Sequence, residues 1–146
     1  MTEAIVGGLL KSNMSDKSMI TSSSPSPPRR EFMAEKFDIK TFKDNLEVLK
    51  RNDVIVLSFK PFAFEQVLNE IKEHVTEDHL IVSVVAGKTI AQMQSILGKN
   101  RRVVRSMVNT PALIGEMAGA YSMGEYATEE DTEVVGQILN SVGIAY

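Results

Sequence analysis

Two continuous apolar runs constrain this chain more than anything else in it, Val54-Ile55-Val56-Leu57-Ser58-Phe59 and Leu80 to Val85, and a third strand is expected over Arg102 to Val108. A strand that is apolar at every position, rather than at alternate ones, needs cover on both faces. That requirement is met by a parallel sheet with helices above and below it. The segments between the runs have helical periodicity. Phe64, Val67, Leu68 and Ile71 share one helix face, and so do Ile90, Met93, Ile96 and Leu97. Thr89 with Gln92 forms a capping box that opens the second of these helices, and Gly98 supplies its stop. The expected class is α/β, a doubly wound and mostly parallel sheet of Rossmann-like type that lacks part of the full pattern.

Outside this centre the elements are shorter. Thr2–Leu10 reads as a helix with Gly7 and Gly8 inside it. Each glycine costs about 1 kcal/mol relative to alanine, which makes sense only where a neighbour approaches closely. Ser18–Ser22 is a weak strand candidate. Ser26 as cap with Pro27 behind it starts a helix through Phe32, Met33 and Lys36. Lys40–Phe42 reads as a short strand, Asn45–Lys50 as a helical turn and Ala118–Met123 as a further strand. A helix capped by Thr128 buries Val134, Val135, Ile138 and Leu139, and Gly143–Tyr146 begins a last strand.

With 146 residues there is room for one domain. Forty-three per cent hydrophobic and 24% charged residues exclude a disordered tail, a fibre and a coiled coil. Cysteine is absent, so thiolate metal sites, disulfides and cysteine nucleophiles are excluded. A formal charge of -3 offers no footprint for nucleic acid, and no apolar run is long enough to span a bilayer. The N-terminus does not read as a signal peptide. The expectation is a soluble protein of a reducing compartment, cytoplasmic, with a mitochondrial location left open.

Ligands of open α/β sheets sit beyond the carboxyl ends of the strands. The loops there are Ser22–Pro25, Ser58–Pro61, Val84–Gly87 and Asn109–Pro111, all small or polar. Any one of them is ordinary turn chemistry; together they point to a crevice for a flat cofactor. At the end of the second strand a carboxylate would select the ribose 2′-hydroxyl of NAD, whereas Arg or small polar groups accommodate the 2′-phosphate of NADP. Three serines occupy that place, and Arg29-Arg30 follow within a helical turn, either on a solvated face or at the phosphate. His74 and His79 have no third ligand at metal spacing. Glu129-Glu130-Asp131 reads as complement to a helix dipole, the eight methionines as packing. No Ser/His/Asp triad or carboxylate pair is arranged for catalysis.

The segments Asp53–Pro61, Ser83–Ile90 and Arg102–Leu113, with Ala4–Leu10 and Ser23–Pro27, resemble the pyrroline-5-carboxylate reductase family along essentially the whole chain. The resemblance implies an N-terminal dinucleotide-binding domain followed by a helical dimerisation domain. It also implies reduction of 1-pyrroline-5-carboxylate to proline by hydride transfer from NADPH or NADH. On it, Ser24, Ser26 and Asn45 meet the adenosine end of the coenzyme. Ser58, Phe59, Lys60, Pro61, Val84, Val85 and Ala86 line the pyrophosphate and nicotinamide side, and Asn109 and Thr110 lie nearest nicotinamide and substrate. No catalytic residue is assigned.

The pattern departs from the family in two places. Met1 stands where the methionine of the family's Gly-x-Gly-Asn-Met loop would be, so the first strand and both phosphate-binding glycines are missing. The helical domain that builds the substrate site and a homo-oligomer interface would follow Tyr146. Ser58-Phe59 replaces the family's Ala-Val, and Val108 a proline or small polar residue. The chain is therefore expected to be an N-terminal piece of the enzyme, inactive alone. The alternatives are a short, non-catalytic paralogue serving as a binding or regulatory module, and another reductase sharing this domain, such as a coenzyme F420-dependent one.

Overall fold

A computed structural model describes all residues, Met1 to Tyr146. In chain order the elements are α1 (Thr2–Lys11), β1 (Thr21–Ser23), α2 (Pro27–Phe37), β2 (Lys40–Phe42), α3 (Asn45–Arg51), β3 (Val54–Leu57) and α4 (Phe64–Ile71). They continue with β4 (Leu80–Ser83), α5 (Ile90–Leu97), β5 (Arg102–Met107), β6 (Met117–Met123), α6 (Glu129–Asn140) and β7 (Gly143–Ala145). No helix is long and apolar enough to cross a membrane.

The two apolar runs and the third expected strand form the parallel centre β3-β4-β5, with Ile55 opposite Ile81 and Ile81 opposite Val103. Their double burial is explicit. Leu57, Ile81 and Val103 point into a core shared with Leu68 of α4 and Met93 of α5. Val82 and Val104 point the other way, into a core with Ala4 of α1 and Val135 and Leu139 of α6. β6 joins β5 antiparallel and β7 joins β6 parallel. Caps fix the helix starts: Ser26, Asp44, Thr89 and Thr128 each accept a backbone N–H with the side chain, and Thr89/Gln92 closes the expected box.

Several boundaries differ from the sequence expectation. The strand expected over 18–22 starts only at Thr21, because Asp16 caps a single 3₁₀ turn over Lys17–Met19. The three central strands end at Leu57, Ser83 and Met107, so Ser58-Phe59, Val84-Val85 and Val108 belong to the loops at their carboxyl ends.

β1 and β2 pair in parallel as a separate two-stranded sheet, beside the five-stranded sheet β3-β4-β5-β6-β7. Between β1 and β3 lies a slot of about 670 Å³, lined among others by Ile5 and Leu9 of α1, Ser22 of β1, Val54 and Val56 of β3 and Ile138 of α6. The carbonyls of Asp53 and Leu57 accept from the N–H groups of Leu80 and Val84. In a parallel ladder this turns the peptide groups of Val54 and Val56 away from β4 and toward the slot. The slot therefore separates two strand edges, where the resemblance puts a central strand.

Candidate functional site

The loop after β3 meets the first turn of α1. Thr2 Oγ1 and Ser58 Oγ share a hydrogen bond, which holds the loop after β3 against the start of α1. Arg29, from the first turn of α2, and Lys60, from the loop after β3, both lie close enough to the Met1 amine to depress its pKa, after burial, which contributes most. Two elements far apart in sequence thus bring positive charge to a helix N-terminus, a place already favourable to anions. Glu3 partly offsets this charge: Lys36 Nζ donates to Glu3 Oε1 at 2.7 Å, and Arg29 pairs with Glu3 Oε2 at 3.7 Å.

Beyond β1 the chain makes a serine turn. Ser24 Oγ accepts from the Ser26 N–H at 3.2 Å, and Ser26 Oγ accepts from the Arg29 N–H at 3.4 Å. Arg30 Nη1 donates to the Ser24 carbonyl at 2.6 Å, which draws its guanidinium over the turn. Asn45, at the start of α3, is bound at both ends of its amide. Its Oδ1 accepts from Ser23 Oγ at 2.7 Å and its Nδ2 donates to Glu70 Oε2 at 2.9 Å. In this structure Asn45, on α3, ties the end of β1 to α4.

The loops of the larger sheet divide into accessible residues and buried ones. Lys60, Pro61, Ala86 and Asn109 are exposed, and Ser58 and Val84 are half-buried. Phe59 packs on the core under α4 and α5, and Val85 lies within it, 1% exposed. These two side chains hold their loops down, which leaves backbone and neighbouring residues to face a ligand. Gly87 adopts φ +72°, and a Cβ placed there would meet nothing within 4 Å, so the turn after β4 is open as well as conformationally restricted to glycine. Asn109 Oδ1 accepts from the Ala118 N–H at 3.0 Å and so braces its loop on β6.

Three features escaped the sequence reading. Thr2 joins the site through Ser58, but its hydroxyl carries no distinguishing pattern. Lys88 Nζ sits 5.0 Å above the Phe64 ring, a cation–π contact across the turn after β4. Asp131, expected as dipole complement, is buried at 3% and ion-paired with Arg102. Of the histidines, His79 is structural: its Nδ1 accepts from the Thr76 N–H and its Nε2 donates to the Leu49 carbonyl.

The family described as NADP oxidoreductase coenzyme F420-dependent matches residues 1–87. The chain belongs to that family. Relatives that align along nearly the whole chain include pyrroline-5-carboxylate reductases. The pyrroline-5-carboxylate reductase of Arabidopsis thaliana is 34% identical over 143 residues, covering 98% of this chain and 51% of the relative. That of Escherichia coli K12 is 34% identical over 145 residues, covering 99% and 54%. A pyrroline-5-carboxylate reductase from Coxiella burnetii superposes with a TM-score of 0.93 at 29% identity, over 99% of this chain and 53% of that one. The enzyme of Plasmodium falciparum, solved with NADP bound, superposes with a TM-score of 0.86 at 27% identity, over 98% and 52%. The chain thus spans about half the length of the relatives it matches. The Rossmann-like fold expected from the apolar runs is the fold of these neighbours.

Proposed function

We propose that this chain is the coenzyme-binding half of an enzyme that reduces 1-pyrroline-5-carboxylate to L-proline, with NADPH as the preferred hydride donor. The observation that carries the reading is that the first turn of α1 meets both the loop after β3, through Thr2 and Ser58, and the helix that follows the serine turn, through Glu3 and Arg29, in a chain whose relatives are pyrroline-5-carboxylate reductases. The serine turn would receive the adenosine ribose. Thr2, Ser58 and the α1 terminus would receive the pyrophosphate. The open turns at Ala86-Gly87 and Asn109-Thr110 would receive the nicotinamide. The dinucleotide supplies the hydride, and these residues bind and orient it. The serine turn and its arginines, without a carboxylate at that strand end, support NADPH over NADH.

Leu113 and Ile114 support a partner for this half. They are 63% and 76% exposed, and they flank a cleft lined by Gly7, Phe37, Ser141 and Val142. Exposed aliphatic side chains beside the strand-end loops suit a further helical segment that completes the substrate site. The test is to purify the native gene product from its source and follow coenzyme oxidation with 1-pyrroline-5-carboxylate. Proline formation with higher kcat/KM for NADPH is expected. Equal efficiency with NADH overturns the coenzyme choice, and no turnover overturns the substrate. The 146-residue chain alone is expected to form no proline.

A further inference from the structure

β6 sorts its residues by size. Met117 lies in the core with α1 and α6, and Tyr121 and Met123 pack against it. Ala118, Ala120 and Ser122 alternate onto the other face and are exposed. On that other face α4 and α5 cover β3, β4 and the start of β5, where Val103 packs with Leu68, Met93 and Leu97. No helix continues the layer over β6 and β7. The register sets Met107 of β5 beside Ala120 and Ile144 of β7 beside Ala118. Tyr146 carries the ladder on, its N–H donating to the Gly119 carbonyl and its carbonyl accepting from the Tyr121 N–H. Met107, Ile144 and Tyr146 are 50%, 59% and 81% exposed. A sheet face that meets water carries polar residues at such positions. Here a trough of small side chains is walled by large apolar ones, the mark of an interaction surface.

We infer that a second copy of this chain covers this face, packed sheet on sheet about a two-fold axis that lies between the sheets and across the strands. Charge selects this occupant and this axis. Arg105, paired with Ser122, makes no ion pair; its Nε is shielded from solvent without a partner and its Nη2 reaches only Met107 Sδ, at 3.2 Å. Glu116 precedes Met117 and so falls in step with Ala118 and Ala120; it is exposed and also makes no ion pair. The two charges stand at opposite ends of β6, about 20 Å apart along the strand, too far to meet within one chain. A two-fold across the strands lays β6 antiparallel over its copy. Arg105 of each copy then comes over the partner's Glu116, and the contact is made twice. An axis along the strands would instead set like charges together. Addition of a strand at the edge of β7 is blocked, because Asn140 Oδ1 accepts from the Ala145 N–H at 2.9 Å. The copies therefore meet by their faces. Three short strands bury less than about 1,200 Å² in total, the size of a weak and reversible contact.

The inference is independent of the coenzyme reading, and its test is the oligomeric state of the full chain. Sedimentation equilibrium from roughly 1 µM to roughly 1 mM should show a monomer–dimer equilibrium that weakens as salt rises. Ala120→Arg, at an exposed position in the middle of the trough, should abolish the dimer. Arg105→Glu and Glu116→Arg should each weaken it by roughly tenfold or more, since each change acts twice across the axis. The double variant exchanges the charges and should return to within roughly threefold of wild type. A monomer at every concentration overturns the inference, and so does a dimer that Ala120→Arg leaves intact. A double variant as weak as the single ones overturns the pairing of Arg105 with Glu116 and with it the two-fold arrangement. If Arg105→Glu fails to fold, Glu116→Arg decides the pairing alone, because that residue is exposed: a dimer of unchanged strength overturns it.

Discussion

Asp131 is one of three buried polar residues, and its removal should cost more than any other single charge in the chain. Its Oδ1 accepts from Arg102 Nη1 at 2.7 Å and its Oδ2 from the Thr128 N–H at 2.9 Å, while its own N–H donates to Thr128 Oγ1. Arg102 in turn donates through Nε and Nη2 to the carbonyls of Glu77 and Asp78. One ion pair thereby joins the start of α6, the start of β5 and the loop before β4. Breaking a buried pair from one side costs about 3 to 5 kcal/mol, and the low end applies here because Arg102 is 26% exposed. Loss of the cap adds about 1 kcal/mol. Asp131→Ala should therefore destabilise by about 3 to 4 kcal/mol in urea unfolding. Asp131→Asn keeps an acceptor for Thr128 and should cost about half of that, and Thr128→Ala only about 1 kcal/mol. Replacing both partners, as Arg102→Met with Asp131→Leu, should recover much of the loss, because no charge is then stranded. If Asp131→Ala costs no more than Thr128→Ala, the ion pair contributes nothing and the reasoning is wrong.

The two glycines of α1 should respond in opposite directions to alanine. A Cβ at Gly7 would rest 3.5 Å from the Phe37 ring, so Gly7→Ala should stabilise by up to about 1 kcal/mol through helix propensity. A Cβ at Gly8 would lie 2.6 Å from Val142 Cγ1 and 2.8 Å from the Ser141 carbonyl, so Gly8→Ala should destabilise by about 1 to 3 kcal/mol in the same unfolding assay. Glu3 offers a pH signature: the hydrogen bond from Lys36, then attraction to Lys36 and Arg29, hold its carboxyl below the ordinary range. Its contribution is complete above its unfolded pKa and is lost as pH falls through the lowered folded one, so the stability gap between wild type and Glu3→Gln should close in acid and shrink in high salt, as for any exposed pair.

What could be read from the sequence follows from where the information is local. The apolar runs, the Thr89/Gln92 box, Ser26-Pro27 and the Thr128 cap all declare themselves within a few residues, and each forms as expected. The apolar character of Phe59 and Val85 extends the expected strands two residues past their ends, because those side chains are apolar for a loop's reason: they anchor the loop to the core. Asp131 looked like one of three equivalent acids, since only the fold brings Arg102 to it. Only the resemblance puts Asn45 at the coenzyme. Its bonds to Ser23 and Glu70 are tertiary and have no sequence signature.

The gap between the two sheets bears most directly on how such a site would assemble. β1 and β2 share no ladder with β3, so the serine turn is positioned by other means. A small core of Val6, Met33 and Ile39, with Leu10, Ile20 and Phe37 packed against it, holds α1, α2 and the β1 sheet together. Asn52 Nδ2 donates to Thr21 Oγ1 at 2.6 Å and Ser23 Oγ to Asn45, two polar ties that span from β1 to α3 and its end. The adenosine end of the proposed site thus stands on one unit, and the loops after β3, β4 and β5 stand on another. Main-chain hydrogen bonds, the stiffest coupling a sheet offers, are absent between them. At the proposed site an adenosine phosphate would engage the serine turn alone, and its affinity would report only the smaller unit. A whole dinucleotide at that site would bridge both units, so part of its binding energy would go into fixing their separation. An occupant of the slot that pairs with both strand edges would remove that cost without touching the coenzyme.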